Sequence, residues 1–362
     1  MTSRLLVPAA GVVAAAYIAL HGYSAARLDV LRLLDSFVAV FAAAPEHPTL
    51  NSNGVLGGSY WLTEDGKSPS WLVRWNESAA QLSVSRMDDL GKWVPLWATR
   101  AARPFVAAAS SESAAAEAHG NFQIRERMRW QCVRQRLESV ASPAADVVLL
   151  QGGFDDGGLC GDVAWQLRLH LGADAAERDV HLGIEVKISS AAGAINRAQL
   201  AYKLDEEARA VWGLGVQFRH MNLKGHCVPA FVSEQGIGRG APETQPVSWL
   251  LNVVGGGAGG NDYTTYASSA AVLSSAGSGI VLDNYELSHW DLGSDGCPHT
   301  RSLLWGGTAM GSFEAGPDTL AVTVHSRRLA GRIVAPVRCR SYGEGEGGGG
   351  EGGGGEGGGG EG

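Results

Sequence analysis

Two nine-residue stretches decide how this chain reads: Val163–Leu171 (VAWQLRLHL) and Val180–Ile188 (VHLGIEVKI). In the first, Val163, Trp165, Leu167, Leu169 and Leu171 alternate with polar or small residues. Val180, Leu182, Ile184, Val186 and Ile188 do the same in the second. Successive side chains of a strand point to opposite faces, so a two-residue repeat puts one face of each segment in a core. The polar link Gly172–Asp179 (GADAAERD) joins them as a hairpin of long antiparallel strands.

The same pattern spreads outward. Leu72–Trp75, Leu82–Arg86, Trp93–Ala98, Phe122–Arg125, Val147–Leu150 and Ala198–Leu204 read as strands. So do Trp249–Val254, Ile280–Leu282 and Leu320–Val324. Ser110–Ala118 (SSESAAAEA) is polar and reads as a loop or short helix. Many strands with few helices predict an all-β protein, a large antiparallel two-sheet sandwich. Eleven tryptophans and 45% hydrophobic residues supply a sizeable core and exclude global disorder. Most tryptophans are expected in that core, with a few available as sugar-stacking platforms.

The ends have different compositions. Arg4 precedes the apolar run Leu5–Leu20, and Ser24-Ala25-Ala26 follows. This pattern predicts a secretory signal or signal anchor, with residues 1–48 as a leader and the protein in the secretory pathway. The last 20 residues, Gly343–Gly362, contain only Gly and Glu. Glycine loses much entropy on ordering and the glutamates repel one another, so 341–362 is expected to be a disordered tail. Residues 49–340 remain as the sandwich domain. The tail carries five acids, and without it 29 basic residues face 32 acidic ones. A near-neutral body argues against nucleic acid as a partner.

Several motifs fail for chemical reasons. The five cysteines, at 132, 160, 227, 297 and 339, form no close pair; they read as free thiols, and no metal site is expected. Cys297, His299 and His289 make too isolated a set for a metal. Gly255–Gly260 matches G-x-G-x-x-G, but Asn261-Asp262-Tyr263-Thr264-Thr265-Tyr266 follows. A dinucleotide site needs a helix there, whose N-terminal amides meet the pyrophosphate. β-branched and aromatic residues favour strand instead, so no cofactor is expected. The acid pairs Asp88-Asp89 and Asp155-Asp156 read as turns, and no catalytic residue is assigned.

One series of motifs carries a resemblance. Val211-Trp212-Gly213-Leu214-Gly215 is followed by Asn222-Leu223-Lys224-Gly225 and Val228-Pro229-Ala230-Phe231. Ser233-Glu234-Gln235-Gly236-Ile237-Gly238-Arg239-Gly240 comes next, then Gly260-Asn261-Asp262-Tyr263-Thr264-Thr265-Tyr266, and Val324–Ile333 (VHSRRLAGRI) comes last. In this order they resemble the N-terminal β-sandwich of glycoside hydrolase family 31, in its sulfoquinovosidase and α-glucosidase branch. The resemblance covers about Trp71–Val334. Val216 stands where that family usually has Glu, and its hairpin Tyr-x-Pro is replaced at Ala267-Ser268.

The resemblance implies a galactose mutarotase-like sandwich. It implies a carbohydrate partner, an α-glucoside or sulfosugar, and a loop that leans over the mouth of a catalytic (β/α)8 barrel. Glu234, Gln235, Arg239, Asp262 and Tyr263 are then the expected substrate-facing residues. Arg239 suits an anionic substituent through its guanidinium fork. In that family both catalytic carboxylates are aspartates of the barrel. A barrel takes about 250 residues, whereas 29 follow Ile333. The expected function is therefore that of a non-catalytic glycosidase domain, cut off before its barrel and inactive alone. The competing expectation is a freestanding carbohydrate-binding sandwich.

Overall fold

In the computed structural model, residues 50–334 are described except 64–68, 89, 119–120, 174–179, 192–194, 205–207, 218–219, 233–235, 237–241, 245–246, 255–257, 261–262, 264 and 295–317. The leader 1–48 and the tail 341–362 lie outside the described residues.

The regular secondary structure of the described residues is almost entirely strand. In chain order these are β1 (Leu50–Asn51), β2 (Gly58–Leu62), β3 (Trp71–Asn76), β4 (Gln81–Met87), β5 (Trp93–Ala98), β6 (Val106–Ala118) and β7 (Asn121–Cys132). Next come β8 (Gln135–Ala144), β9 (Val147–Phe154), β10 (Val163–Ala173), β11 (Val180–Ser190), β12 (Arg197–Lys203) and β13 (Val211–Gly213). The last are β14 (Cys227–Ala230), β15 (Ala271–Ser274), β16 (Gly279–Leu282), β17 (Ser288–Leu292), β18 (Thr319–Val324) and β19 (Arg328–Val334).

They form three sheets. A nine-stranded sheet runs β1-β8-β9-β10-β11-β19-β16-β15-β13, a six-stranded sheet β14-β17-β18-β12-β6-β7, and a four-stranded sheet β2-β3-β4-β5. The pairing is antiparallel apart from β1 with β8. One hydrophobic core joins all three, as expected when apolar sheet faces bury against each other. The all-β sandwich read from the periodicity is the observed architecture, with the four-stranded sheet as an addition.

The deciding hairpin forms as its alternation dictates. Trp165 pairs with Ile188, Leu167 with Val186 and Leu169 with Ile184, and all six side chains are buried. The Trp165 ring meets Phe105 edge-on at 5.6 Å, and its Nε1 donates to the Gly153 carbonyl at 3.0 Å. Gly152 lies opposite Trp165; a Cβ there would fall 2.9 Å from the indole and 1.9 Å from the Arg136 carbonyl oxygen.

Three sequence expectations need correction. Ser110–Ala118 is neither loop nor helix but part of β6, paired with β7 from Ala108 to Ala118. Partner pairing overrides the weak intrinsic preference of Ala, Ser and Glu. Trp249–Val254 is not a strand: it belongs to the helix α1 (Val247–Val254). Short apolar runs are ambiguous between the two forms, and the doublets Leu250-Leu251 and Val253-Val254 break the strand alternation. The cysteines are not all free thiols. Cys132 and Cys160 form a disulfide with Cα atoms 5.7 Å apart, and Cys227 is disulfide-bonded as well. Spacing along the chain does not reveal which cysteines the fold brings together.

Candidate functional site

Two of the motifs that carried the resemblance, Val211–Gly215 and Asn222–Gly225, lie at the free end of the nine-stranded sheet, where β13 is the last strand. Gly213 has φ +133 and Gly215 φ +87, and Leu214 between them is also left-handed at +58. Added Cβ atoms on these glycines would fall 2.1 Å from the Ala271 carbonyl oxygen and 1.9 Å from that of Ala267. Only glycine allows both the dihedral and the approach. The reward is backbone pairing: Leu214 N donates to Ala271 O at 2.8 Å and Val216 N to Ala267 O at 2.9 Å. The Thr265 hydroxyl is bound between the Val216 and Ala267 carbonyls.

The next motif, Asn222-Leu223-Lys224-Gly225, folds back on β13. The Asn222 side-chain oxygen accepts from Val211 N and from Lys224 N, both at 3.0 Å. Leu223 N donates to Val211 O at 2.8 Å, and the Lys224 ammonium binds the Ala208 carbonyl. This turn delivers His226 to the start of β14. There its Nδ1 lies 3.1 Å from the Tyr263 hydroxyl, and its ring stacks at 4.2 Å on His220. His220, His226 and Tyr263 thus form one ring cluster where three loops meet.

Of the residues expected to face substrate, Tyr263 is described; it is buried at 8% exposure with its hydroxyl on His226. Glu234, Gln235, Arg239 and Asp262 lie outside the described residues. Their neighbours show how the two loops relate. Gly236 has φ +67, and a Cβ on it would fall 2.2 Å from the Gly260 amide nitrogen. The backbones on either side of these candidates are therefore in contact. The imidazoles of the cluster were missed by motif reading; His226 follows the Lys224-Gly225 turn directly, which was the available signal.

Beyond His226 the polar network continues inward. Cys227 Sγ lies 3.1 Å from the Ser294 hydroxyl. The Ser294 amide and hydroxyl both donate to Asp291 Oδ1, each at 2.9 Å. Burial pushes the Asp291 carboxyl up to about 6, the Ser294 donors offsetting part of the shift. The acid pairs read as turns have structural work. Asp88 accepts from the Leu90 and Lys92 amides. Asp156 accepts from the Val133 and Arg134 amides. Asp155 and Glu138 both engage the Arg136 guanidinium, whose pKa the two carboxylates raise. No group of three or more His, Cys, Asp or Glu side chains able to hold a metal ion occurs among the described residues.

Among the described residues thirteen large hydrophobic side chains are exposed, and eight of them fall between residues 212 and 273: Trp212, Val216, Met221, Val232, Val247, Leu250, Tyr266 and Leu273. Trp212 sits directly opposite Leu273 in the β13–β15 ladder. Val216 bonds to the backbone beside Tyr266. Val247 and Leu250 are three apart on α1, so they share one helix side.

No protein-family model and no curated protein matches the chain. Among solved structures, it is similar to part of a glycoside hydrolase family 31 sulfoquinovosidase from E. rectale in complex with an aza-sugar inhibitor. The identity is 18%, the match covers 73% of this chain and 32% of that one, and the TM-score is 0.49. A Flavobacterium johnsoniae dextranase of the same family, complexed with isomaltotriose, matches at 10% identity over 80% of this chain and 26% of its own, TM-score 0.25. An α-xylosidase of that family from a soil metagenome, complexed with xylose, matches at 10% identity over 75% and 32%, TM-score 0.23. The chain spans about a quarter to a third of the length of these enzymes.

Proposed function

We propose that residues 49–340 are the non-catalytic N-terminal sandwich of an α-glycosidase, shaping the sugar pocket of a (β/α)8 barrel that carries the catalytic carboxylates. The observation that carries this reading is the apolar surface of residues 212–273. Neighbouring exposed apolar side chains, such as Trp212 opposite Leu273, mark an interaction surface, and surfaces between domains of one chain are of this kind. The surface belongs to the same stretch whose motifs resemble family 31, and in that family this stretch leans on the barrel. The touching backbones of Gly236 and Gly260 support a single substrate-facing edge built from Glu234, Gln235, Arg239, Asp262 and Tyr263. The substrate class is an α-glucoside or sulfosugar. The Cys132–Cys160 disulfide supports an oxidising compartment, in keeping with a secretory leader.

The test has two parts. The full chain is assayed on 4-nitrophenyl α-glucoside and α-sulfoquinovoside, and no turnover is expected. A separately produced family 31 barrel is then mixed with the chain, and co-elution on gel filtration is expected. Trp212→Glu combined with Leu273→Lys should abolish it. Turnover by the chain alone that depends on a residue within 49–340 overturns the proposal, as does a double variant that co-elutes unchanged.

A further inference from the structure

We propose that the outer face of the four-stranded sheet binds a neutral oligosaccharide, with the pair Trp61 and Trp93 as a stacking platform and the cleft beside it as the polar subsite. The inner face of this sheet is core and already holds three indoles: Trp71, Trp75 and Trp97 are at most 5% exposed. The alternate residues face outward. The register aligns Ser59, Arg74, Ser83 and Ala98 in one row. Trp61, Leu72, Ser85 and Pro95 form the next, and Trp93 stands two residues from Pro95 on the same face.

Trp61 is 49% exposed and Trp93 is half-buried. They stand on the two edge strands, β2 and β5, three strand spacings or about 14 Å apart. Their rings nonetheless meet, with centroids at 5.3 Å and planes inclined by 58°. The indoles therefore reach toward each other across the sheet. Leu72, in the row of Trp61, is buried beneath this face, which leaves the ring surfaces to the outside.

Beside the pair lies a cleft of about 740 Å³, lined by residues 57–59 and 74–78, an ordinary size for a small-molecule site. Ser59 is two residues from Trp61, about 7 Å along the same face, so platform and cleft are continuous. The cleft offers both donors and acceptors. Arg74 carries five N–H donors, of which Nε engages the Ser59 hydroxyl at 3.4 Å. Glu77 Oε2 accepts from the Gly57 amide at 3.2 Å. Asn76 Oδ1 accepts from the Ser78 hydroxyl at 2.8 Å and the Ala79 amide at 3.2 Å, which fixes the turn that presents Glu77.

One guanidinium and one carboxylate balance, so the cleft selects for no net charge. A sugar ring has a C–H face that suits the negative π-face of an indole, and hydroxyls that both donate and accept. A proline-rich peptide also binds aromatic surfaces, but proline has no N–H and would offer the Glu77 carboxylate no donor. A saccharide is therefore the better match to both halves of the site. This inference is independent of the proposed docking of a barrel, since the residues differ.

The experiment titrates the full chain with maltotetraose and glucose by calorimetry. Saturable binding of the tetrasaccharide is expected, with glucose at least about tenfold weaker. Trp61→Ala should weaken tetrasaccharide binding about tenfold or more, and Trp61→Phe, which keeps an aromatic face, should retain it. Arg74→Ala, in the cleft, provides a second exposed variant with the same expected loss. Binding that survives both alanine variants, or no saturable binding by the wild type, overturns the inference. So does decaproline bound in place of the sugar, or a barrel co-elution that Trp61→Ala abolishes. Co-elution that succeeds with no saccharide bound sinks this site alone; co-elution that fails beside Trp61-dependent sugar binding sinks the docking reading alone.

Discussion

The β10–β11 hairpin and the short strands of the 211–275 stretch are both β-structure, yet different forces hold them. In the hairpin, side chains do the work: Trp165, Leu167, Leu169, Leu182, Ile184 and Val186 are all at most 2% exposed. Burial at about 25 cal/mol per Å² fixes the register there, because a one-residue slip would turn every one of them outward. In the 211–275 stretch the strands have three and four residues. Backbone contacts through Gly213 and Gly215 and side-chain caps from Asn222 and Thr265 take over; Val211, Leu214, Leu223 and Val272 are buried, while Trp212, Val216, Tyr266 and Leu273 are exposed. The first region is built to be a core and the second to present a surface.

The comparison breaks most easily at Trp165. Trp165→Ala deletes a buried indole, its edge contact with Phe105 and its donation to the Gly153 carbonyl. The expected loss is about 3–5 kcal/mol, read as a lower urea midpoint with little change in slope. A loss below about 1 kcal/mol would mean that the hairpin is not the core element its burial indicates. Next in size is the disulfide. Cys132 and Cys160 are 28 residues apart, and Cys160→Ser should cost about 2–4 kcal/mol. Reduction should destabilise the wild type by at least this much and the variant by less, since the Cys227 disulfide is broken in both.

What the sequence made legible follows the same divide. Alternation revealed the hairpin, β3, β4, β9 and β18, because their side chains carry the period that burial requires. It missed β6, whose exposed Glu112, Ser113, Ala114 and Ala115 owe their strand form to β7 alone. It also misread α1, where eight residues are too few for a period to declare itself. At the site, the motif glycines were legible as bends, since a left-handed backbone leaves few alternatives. The His220–His226–Tyr263 cluster was not, because 43 residues and three loops separate its members and only the fold unites them.

A pH titration sharpens the contrast from inside the six-stranded sheet. Burial raises the Asp291 carboxyl from its ordinary 3.8 to about 6. In the unfolded chain this group therefore loses its proton at lower pH than in the fold. Below about pH 4 both states are protonated and the group costs nothing. As pH rises from there to about 6, the unfolded state is increasingly favoured, and the deficit then stays constant. Asp291→Asn should remove that slope and stabilise the protein at pH 7 by up to about 3 kcal/mol. Chemical denaturation across pH 4–8 measures it; parallel curves for the two proteins would show that the buried carboxyl does not titrate late.

The smallest effect on stability is expected where the surface reading predicts the largest effect on association. Trp212 is 40% exposed and its cross-strand neighbour Leu273 46%, so much of each ring and chain is already in water. Trp212→Ser forfeits only the buried remainder, and the backbone bonds of the Gly213–Gly215 bend do not involve the indole. The change in unfolding free energy should stay near about 0.5 kcal/mol, roughly a tenth of that at Trp165. The binding of a hydrophobic dye to the native protein should nonetheless fall, because aromatic side chains dominate apolar recognition surfaces. If Trp212→Ser instead destabilised as Trp165→Ala does, the indole would be a core residue, and the edge of the nine-stranded sheet would have no face left to offer a barrel.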